Sequence, residues 1–181
     1  LNSAHVRRHA DEVPKAFQEI MDESTYRKSV RYALAKARFG TLSDTYTTAL
    51  LCSLQFPGCL AALFEQLATW TGESAWGLAI ALWMLILLLS ILSLPFSWWS
   101  QFRLEARFGF NNSTQRTWWA DQAKGVALSF ALGVPLLALV LWLVNASGSH
   151  WWIWAWGVVV SFQLLMSGLA PIFILPLFNK F

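Results

Sequence analysis

Residues 76–97 read WGLAIALWMLILLLSILSLPFS, a stretch without a single charged residue. A helix of this length rises about 33 Å, which is enough to cross the roughly 30 Å hydrocarbon core of a bilayer. Three more long apolar runs lie at about 45–70, 123–145 and 151–174, and prolines at 57, 135 and 171 predict kinks in them. The sequence therefore predicts an all-α membrane protein with four transmembrane helices, preceded by short amphipathic cytoplasmic helices.

The overall composition agrees with lipid as the main solvent. Of the 181 residues, 56% are hydrophobic and 13% are charged, whereas about a quarter are charged in an average soluble domain. Twelve tryptophans are typical of a chain with several membrane interfaces. The basic residues lie beside apolar runs and show no interleaved base-stacking pattern. We therefore expect a lipid bilayer as the partner, and no nucleic acid.

Residues 1–43 are polar and basic and predict two amphipathic helices at the cytoplasmic side of the membrane. Pro14 suits a first helical turn, and Ser24 suits the cap of the second helix. Residues 44–181 would then form a four-helix membrane domain with a cytoplasmic loop at 98–122. The basic side chains of the second helix either face anionic lipid head groups or form an ordinary solvated surface. They are Arg27, Lys28, Arg31, Lys36 and Arg38.

The orientation follows from the Lys and Arg residues outside the apolar runs. Eight lie in 1–43, four in 98–124 and one at Lys180, whereas the connections 71–75 and 146–150 contain none. By the positive-inside rule, both chain ends and the 98–122 loop are cytoplasmic. We expect a multi-pass protein of the bacterial inner membrane, or of the endoplasmic reticulum if the source is eukaryotic.

Polar residues inside the spans are candidates for the wall of a chamber. Small or polar side chains recur at three- and four-residue spacing along the first span, and serines do so along the second. Such stripes either line a water-filled cavity or allow close helix packing, and the sequence leaves both open. The candidate chamber-lining residues are Gln55, Glu65, Gln66, Ser90, Ser93 and Ser97.

The chain offers little catalytic chemistry of its own. His5 and His9 have helical i, i+4 spacing, but Val6 stands where a general-base Glu would follow the first histidine. The sequence contains no Gly-rich phosphate loop, nucleophile elbow or carboxylate pair. We therefore expect no catalytic residue, no metal ligand and no cofactor in this chain.

Spaced residues in the middle loop and near the C-terminal end resemble a known family. They are Glu105, Phe108-Gly109-Phe110-Asn111, Thr114, Asp121, Lys124 and Pro176-Leu177-Phe178-Asn179-Lys180-Phe181. Similar residues in the N-terminal segment are His9, Pro14, Phe17, Tyr26, Tyr32, Lys36, Arg38 and Phe39. In this order and spacing, the chain resembles the N-terminal membrane domain of the type I CAAX prenyl endopeptidases, which are integral-membrane zinc metalloproteases.

The resemblance implies a barrel of helices around a large chamber, closed on the cytoplasmic side by a metalloprotease domain. That domain would follow in the same polypeptide and would hold zinc through a His-Glu-x-x-His helix and a distant Glu. This chain would contain the second to fifth membrane spans of the family, and it would be inactive alone. Zinc would belong to the parent enzyme, and the substrate of that enzyme would be a peptide or a membrane protein.

Two questions stay open at this point. Asn111, Asn112 and Thr114 either shape a turn, with Ser113 or Thr114 capping the next helix, or contact the protease domain or its substrate. The whole chain could also be a non-enzymatic helical module, such as a transporter or scaffold piece. Against a transporter, Glu65 is the one charged residue inside the cores of the spans.

Overall fold

The computed structural model describes residues 22–178, and all regular structure in that range is helical. The main helices are α1 (Glu23–Gln55), α2 (Cys59–Thr71), α3 (Ala75–Trp99), α4 (Gln115–Ala146) and α5 (Trp151–Leu169). A π-helical segment (Ser100–Glu105) and a short helix (Ala106–Phe108) continue α3. A 3-10 turn (Gly148–His150) precedes α5, which continues through a π-helical segment (Ala170–Ile174) into Leu175–Phe178. The all-α prediction is confirmed.

Three helical stretches in this range are long and apolar enough to cross a membrane. They are Ala75–Phe108, Gln115–Ala146 and Gly148–Phe178, and the bent pair α1 and α2 makes a fourth if it counts as one broken span. Each of the three contains one span predicted from the sequence and extends beyond it. The prediction at 45–70 falls on the bent pair. The chain is a multi-pass integral membrane protein.

Helix α1 is longer than the sequence indicated. Asp22 occupies the cap position and accepts a hydrogen bond from the Ser24 hydroxyl, which lowers the pKa of the Asp22 carboxyl. The prediction of Ser24 as the cap was therefore wrong by two residues. The helix then runs without a break through residues 43–45. The division between 1–43 and 44–181 stays a prediction, and the expected first helix around Pro14 lies outside the described residues.

The expected kink at Pro57 is confirmed as a break between α1 and α2. Proline has no N–H to donate, and Gly58 follows with a φ of 76°, a conformation that favours glycine. The Gly58 N–H donates to the Gln55 carbonyl at 3.1 Å. Pro171 lies in a π-helical segment, as expected where the helical ladder is disturbed. Pro135 lies inside α4, which continues past it.

The turn between α2 and α3 is tight. Gly72 has a φ of 88°, and the Ser74 hydroxyl accepts a hydrogen bond from the Gly77 N–H at 3.0 Å. Gly77 is buried, and an ideal Cβ placed on it would lie 2.2 Å from the Gly72 carbonyl oxygen. The close approach of the two backbones therefore requires glycine at position 77.

The described residues form two compact units, one of residues 22–59 and 91–113 and the other of residues 60–90 and 114–178. In the second unit, α3 and α4 meet at the buried residues Ala79, Val134 and Ala138. Small side chains allow membrane helices to approach closely, and larger partly buried residues pack around this contact. Those residues are Ile80, Trp83, Leu137 and Leu141.

Large apolar side chains cover much of the protein surface. Phe56 is 86% exposed, Leu164 is 69% exposed and Trp156 is 67% exposed. Apolar surface of this extent would be unstable against water, but it suits contact with lipid acyl chains. Exposed tryptophans cluster on both sides of the 147–150 connection, as expected at a membrane interface. They are Trp142, Trp151, Trp152, Trp154 and Trp156.

Candidate functional site

The FGFN sequence at 108–111 forms a tight helix-ending turn. Gly109 adopts the left-handed conformation with a φ of 77°. Its N–H donates to the Ala106 carbonyl at 3.1 Å, and the Phe110 N–H donates to the Glu105 carbonyl at 3.0 Å. This pair of bonds is the Schellman arrangement that satisfies the last carbonyls of a helix. A side chain at position 109 would strain the turn, which explains the glycine.

Asn111 stabilises the segment that follows this turn. Its side-chain oxygen accepts a hydrogen bond from the Gln101 amide at 3.0 Å and another from the Ser113 N–H at 2.9 Å. Asn112 is exposed, and its side chain makes no hydrogen bond with any residue in the described range. Asn111 therefore has a structural role, whereas Asn112 is available to a partner.

Thr114 is the cap of α4, in agreement with one of the two expectations for this position. Its hydroxyl oxygen accepts a hydrogen bond from the Thr117 N–H at 3.2 Å. A threonine in this position satisfies one of the free N–H groups at a helix start. The structure thus supports the turn-and-cap interpretation, and contact of these residues with a protease domain stays a prediction.

Helix α1 packs its polar half against the same turn. The Tyr32 ring meets the Phe108 and Phe110 rings edge-on, with centroids 5.3 and 4.7 Å apart. One turn along, the Lys36 ammonium donates to the Tyr32 hydroxyl at 3.1 Å and lies 3.7 Å from the Glu105 carboxylate. The hydrogen bond to Tyr32, followed by the charge of Glu105, raises the pKa of Lys36. Five residues singled out by the resemblance therefore meet here.

The residues predicted to line a chamber lie in both units. Gln55 belongs to the first unit, and Glu65 and Gln66 belong to the second, all three with exposed side chains. Ser93 and Ser97 lie in the part of α3 that belongs to the first unit. Among residues 22–178, none of these five side chains has a hydrogen-bond or ion-pair partner. Their role in a chamber wall stays a prediction.

Ser90 lines a cavity of about 250 Å³ in the second unit. Trp83 and Ser129 lie in its wall, and the Trp83 indole N–H donates to the Ser129 hydroxyl at 3.1 Å. Gln122 adds a further polar group, so the cavity is partly polar although it lies between two apolar helices. Sequence reasoning missed Gln122 as a site residue. The available signal was Trp83, the one tryptophan located well inside a predicted span.

Lys124 joins two motif segments that lie far apart in the sequence. Its ammonium group donates to the Asp121 carboxylate at 3.0 Å and to the Leu177 carbonyl at 2.9 Å. The same group lies 5.7 Å from the centre of the Phe178 ring. We call this arrangement the Lys124 bracket. It holds the last described turn of the chain against the start of α4.

Comparisons with known proteins give a family match over almost the whole chain. A family model described as the CAAX prenyl protease N-terminal region, with five membrane helices, matches residues 2–180. The chain belongs to this family. It is 31% identical to CAAX prenyl protease 1 of Saccharomyces cerevisiae over 186 residues, which cover 93% of this chain and 40% of the yeast protein.

Other members of the family give the same result. A CAAX prenyl protease 1 homolog of Oryza sativa is 31% identical and is matched over 93% of this chain and 41% of its own length. The crystal structure of S. mikatae Ste24p aligns with a TM-score of 0.85 and 28% identity over 98% of this chain and 44% of that one. The chain thus spans about two fifths of the length of these relatives. The resemblance read from the sequence is confirmed.

Possible metal ligands are scattered over the described part of the chain. Within residues 22–178, no three His, Cys, Asp or Glu side chains lie close enough together to hold a metal ion. His5 and His9 lie outside that range.

Proposed function

We propose that this chain is the chamber-forming membrane domain of a zinc-dependent CAAX-type membrane endopeptidase. The zinc ligands and the catalytic groups would lie in a following part of the same polypeptide. The observation that carries the proposal is the match of residues 2–180 to the N-terminal region of this protease family. The coverage of about two fifths of the relatives agrees with a separate catalytic part.

In this proposal the chain supplies the substrate enclosure and the attachment of the catalytic part. Ser90 and Gln122 would contribute polar groups to the wall, together with the predicted lining residues of α1 and α2. The Lys124 bracket would fix the point at which the chain leaves the membrane towards the catalytic part. Both chain ends would lie on the cytoplasmic side, and the substrate would be a peptide or a membrane protein.

The activity is tested with the full-length gene product in proteoliposomes. The substrates are a quenched fluorescent peptide that ends in a farnesylated CAAX sequence and the same peptide without the lipid. We expect cleavage, loss of cleavage after chelation and recovery on addition of zinc. A polypeptide of residues 1–181 serves as the inactive control. Cleavage that persists after metal removal would contradict zinc dependence, and no cleavage of either peptide would contradict an endopeptidase.

The chamber wall is tested with Ser90→Leu. The larger side chain reduces the volume of the Ser90 cavity, and we expect a raised KM because the enclosure has less room and one polar group fewer. Ser167→Leu is the matched control, because both serine hydroxyls donate to a carbonyl of their own helix at 2.8 Å and Ser167 does not line that cavity. Equal kinetic constants for the two variants would contradict the assignment of Ser90 to the chamber wall.

A further inference from the structure

A second cavity lies in the first unit, between α1 and the turn at 107–110. Its volume is about 450 Å³. The lining consists of Lys28, Arg31, Ala35, Arg107 and Phe108, so three of the five residues are cationic. We call it the cationic cavity.

The three cations of this cavity have no counter-charge among residues 22–178. Arg27 pairs with Glu23 at 2.6 Å, and Lys36 pairs with Glu105 at 3.7 Å. Lys28, Arg31 and Arg107 form no such ion pair with any residue in the described range. Arg27 and Lys36 of α1 thus each lie beside a carboxylate, whereas Lys28 and Arg31 face a space that they share with Arg107.

Local contacts hold the cavity in shape. The Lys28 ammonium lies 5.6 Å from the centre of the Phe110 ring, and the Arg31 Nε donates to the Arg27 carbonyl at 3.4 Å. Arg107 belongs to the last helical turn before Gly109, where the chain direction is fixed by the Schellman bonds. Three like charges near one space repel each other, and an anion with several oxygen atoms relieves this repulsion. Arginine suits phosphate in particular, because its planar group binds two oxygens at once.

An apolar cavity follows along the same pair of elements. It has a volume of about 340 Å³ and is lined by Phe39, Leu42, Pro95, Phe96 and Trp99. The two cavities follow each other along two segments of the chain. In α1 the cationic cavity comes first and the apolar cavity second, and in the segment 91–108 the order is reversed. A charged space followed by an apolar space matches a phospholipid, whose phosphate is followed by acyl chains. A soluble phosphate would leave the second cavity without a role.

We propose that Lys28, Arg31 and Arg107 bind the phosphate group of an anionic membrane phospholipid, with an acyl chain in the adjacent apolar cavity. The site lies at the end of the membrane-crossing stretch Ala75–Phe108, where head groups are located. The proposal depends on the membrane location of the chain and not on the peptidase activity. Its failure and the failure of the proposed function are therefore separate results.

The test uses purified full-length protein in a nonionic detergent. Dioctanoyl phosphatidylglycerol, dioctanoyl phosphatidylcholine and inorganic phosphate are each titrated, and the Kd is obtained from the rise in Tm with ligand concentration. The variants are Arg31→Gln and Arg107→Gln. Arg38→Gln is the matched control, because Arg38 is an exposed residue of the same helix, carries the same charge and does not line the cationic cavity.

We expect saturable binding of phosphatidylglycerol that weakens about fivefold in each of the two cavity variants. Arg38→Gln should leave the Kd nearly unchanged, and phosphatidylcholine should bind more weakly because the cations repel its choline group. Equal losses in Arg31→Gln and Arg38→Gln would overturn the proposal, since they would indicate a diffuse charge effect. Equal binding of the two lipids, or phosphate binding as tightly as phosphatidylglycerol, would overturn it as well. If either cavity variant fails to fold by circular dichroism, Lys28→Gln replaces it.

Discussion

Replacing Gly77 by alanine tests the tight turn at the start of α3. An ideal Cβ at this position would lie 2.2 Å from the Gly72 carbonyl oxygen and 2.4 Å from that of Thr71. Both contacts are with backbone atoms, which cannot rotate away as the end of a flexible side chain can. Gly72 is itself held at a φ of 88°, so the turn has little freedom to adjust. The variant must displace the backbone of the turn.

Two effects of opposite sign decide the stability of Gly77→Ala. Alanine is preferred over glycine inside a helix by up to about 1 kcal/mol. Forcing a methyl group into a filled space costs about 1–3 kcal/mol, and the movement also weakens the bond between the Gly77 N–H and the Ser74 hydroxyl. The steric cost is the larger of the two. We expect the free energy of unfolding to fall by about 1–2 kcal/mol.

The measurement is unfolding of the detergent-solubilised protein in increasing sodium dodecyl sulfate, followed by tryptophan fluorescence. Gly133→Ala is the matched control, because Gly133 lies within α4 and no atom outside its own stretch of helix backbone comes within 4 Å of its ideal Cβ. The control should be as stable as the wild type or more stable, by up to about 1 kcal/mol. If Gly77→Ala were at least as stable as the control, the steric reasoning would be refuted.

Three further predictions concern individual contacts. Lys124→Met removes both hydrogen bonds of the Lys124 bracket and should increase amide hydrogen exchange at residues 175–178. The control Arg116→Met makes an equal charge change on the same helix and should leave this exchange unchanged. Equal exchange in both variants would contradict the bracket. Thr114→Ala should lower the free energy of unfolding by about 1 kcal/mol because α4 loses its cap, and Thr114→Ser should restore most of it. The pKa of Lys36 is raised in the folded state. The charged Lys36 therefore contributes fully to the stability of the fold below the ordinary lysine pKa, and this contribution is lost as the pH rises through the pKa of the folded state. The Tm of Lys36→Met should therefore fall less than that of the wild type between neutral pH and strongly alkaline pH, and parallel curves would count against the contact with Tyr32.

Local features of the fold were predictable because their causes lie within a few residues. The uncharged run at 76–97 requires a helix in lipid, and Pro57 followed by Gly58 marks the break after α1. Thr114 was one of two residues expected to cap α4, and it does so. The continuity of α1 through residues 43–45 was not predictable, because the change from charged to apolar residues near position 44 alters the surroundings of the helix and not its backbone. A single helix therefore crosses a boundary that the composition indicates.

The site residues depend on contacts that no local pattern specifies. The Lys124 ammonium reaches a carbonyl 53 residues away, and the Trp83 indole reaches a hydroxyl 46 residues away. A backbone carbonyl such as that of Leu177 is present at every position, so the sequence does not indicate which one a lysine will bind. The cationic cavity has the same origin, since Arg107 meets Lys28 and Arg31 where Phe108 and Phe110 pack against α1. In the sequence the basic residues of α1 form one group, whereas the structure pairs Arg27 and Lys36 with carboxylates and places Lys28 and Arg31 in a cavity with Arg107.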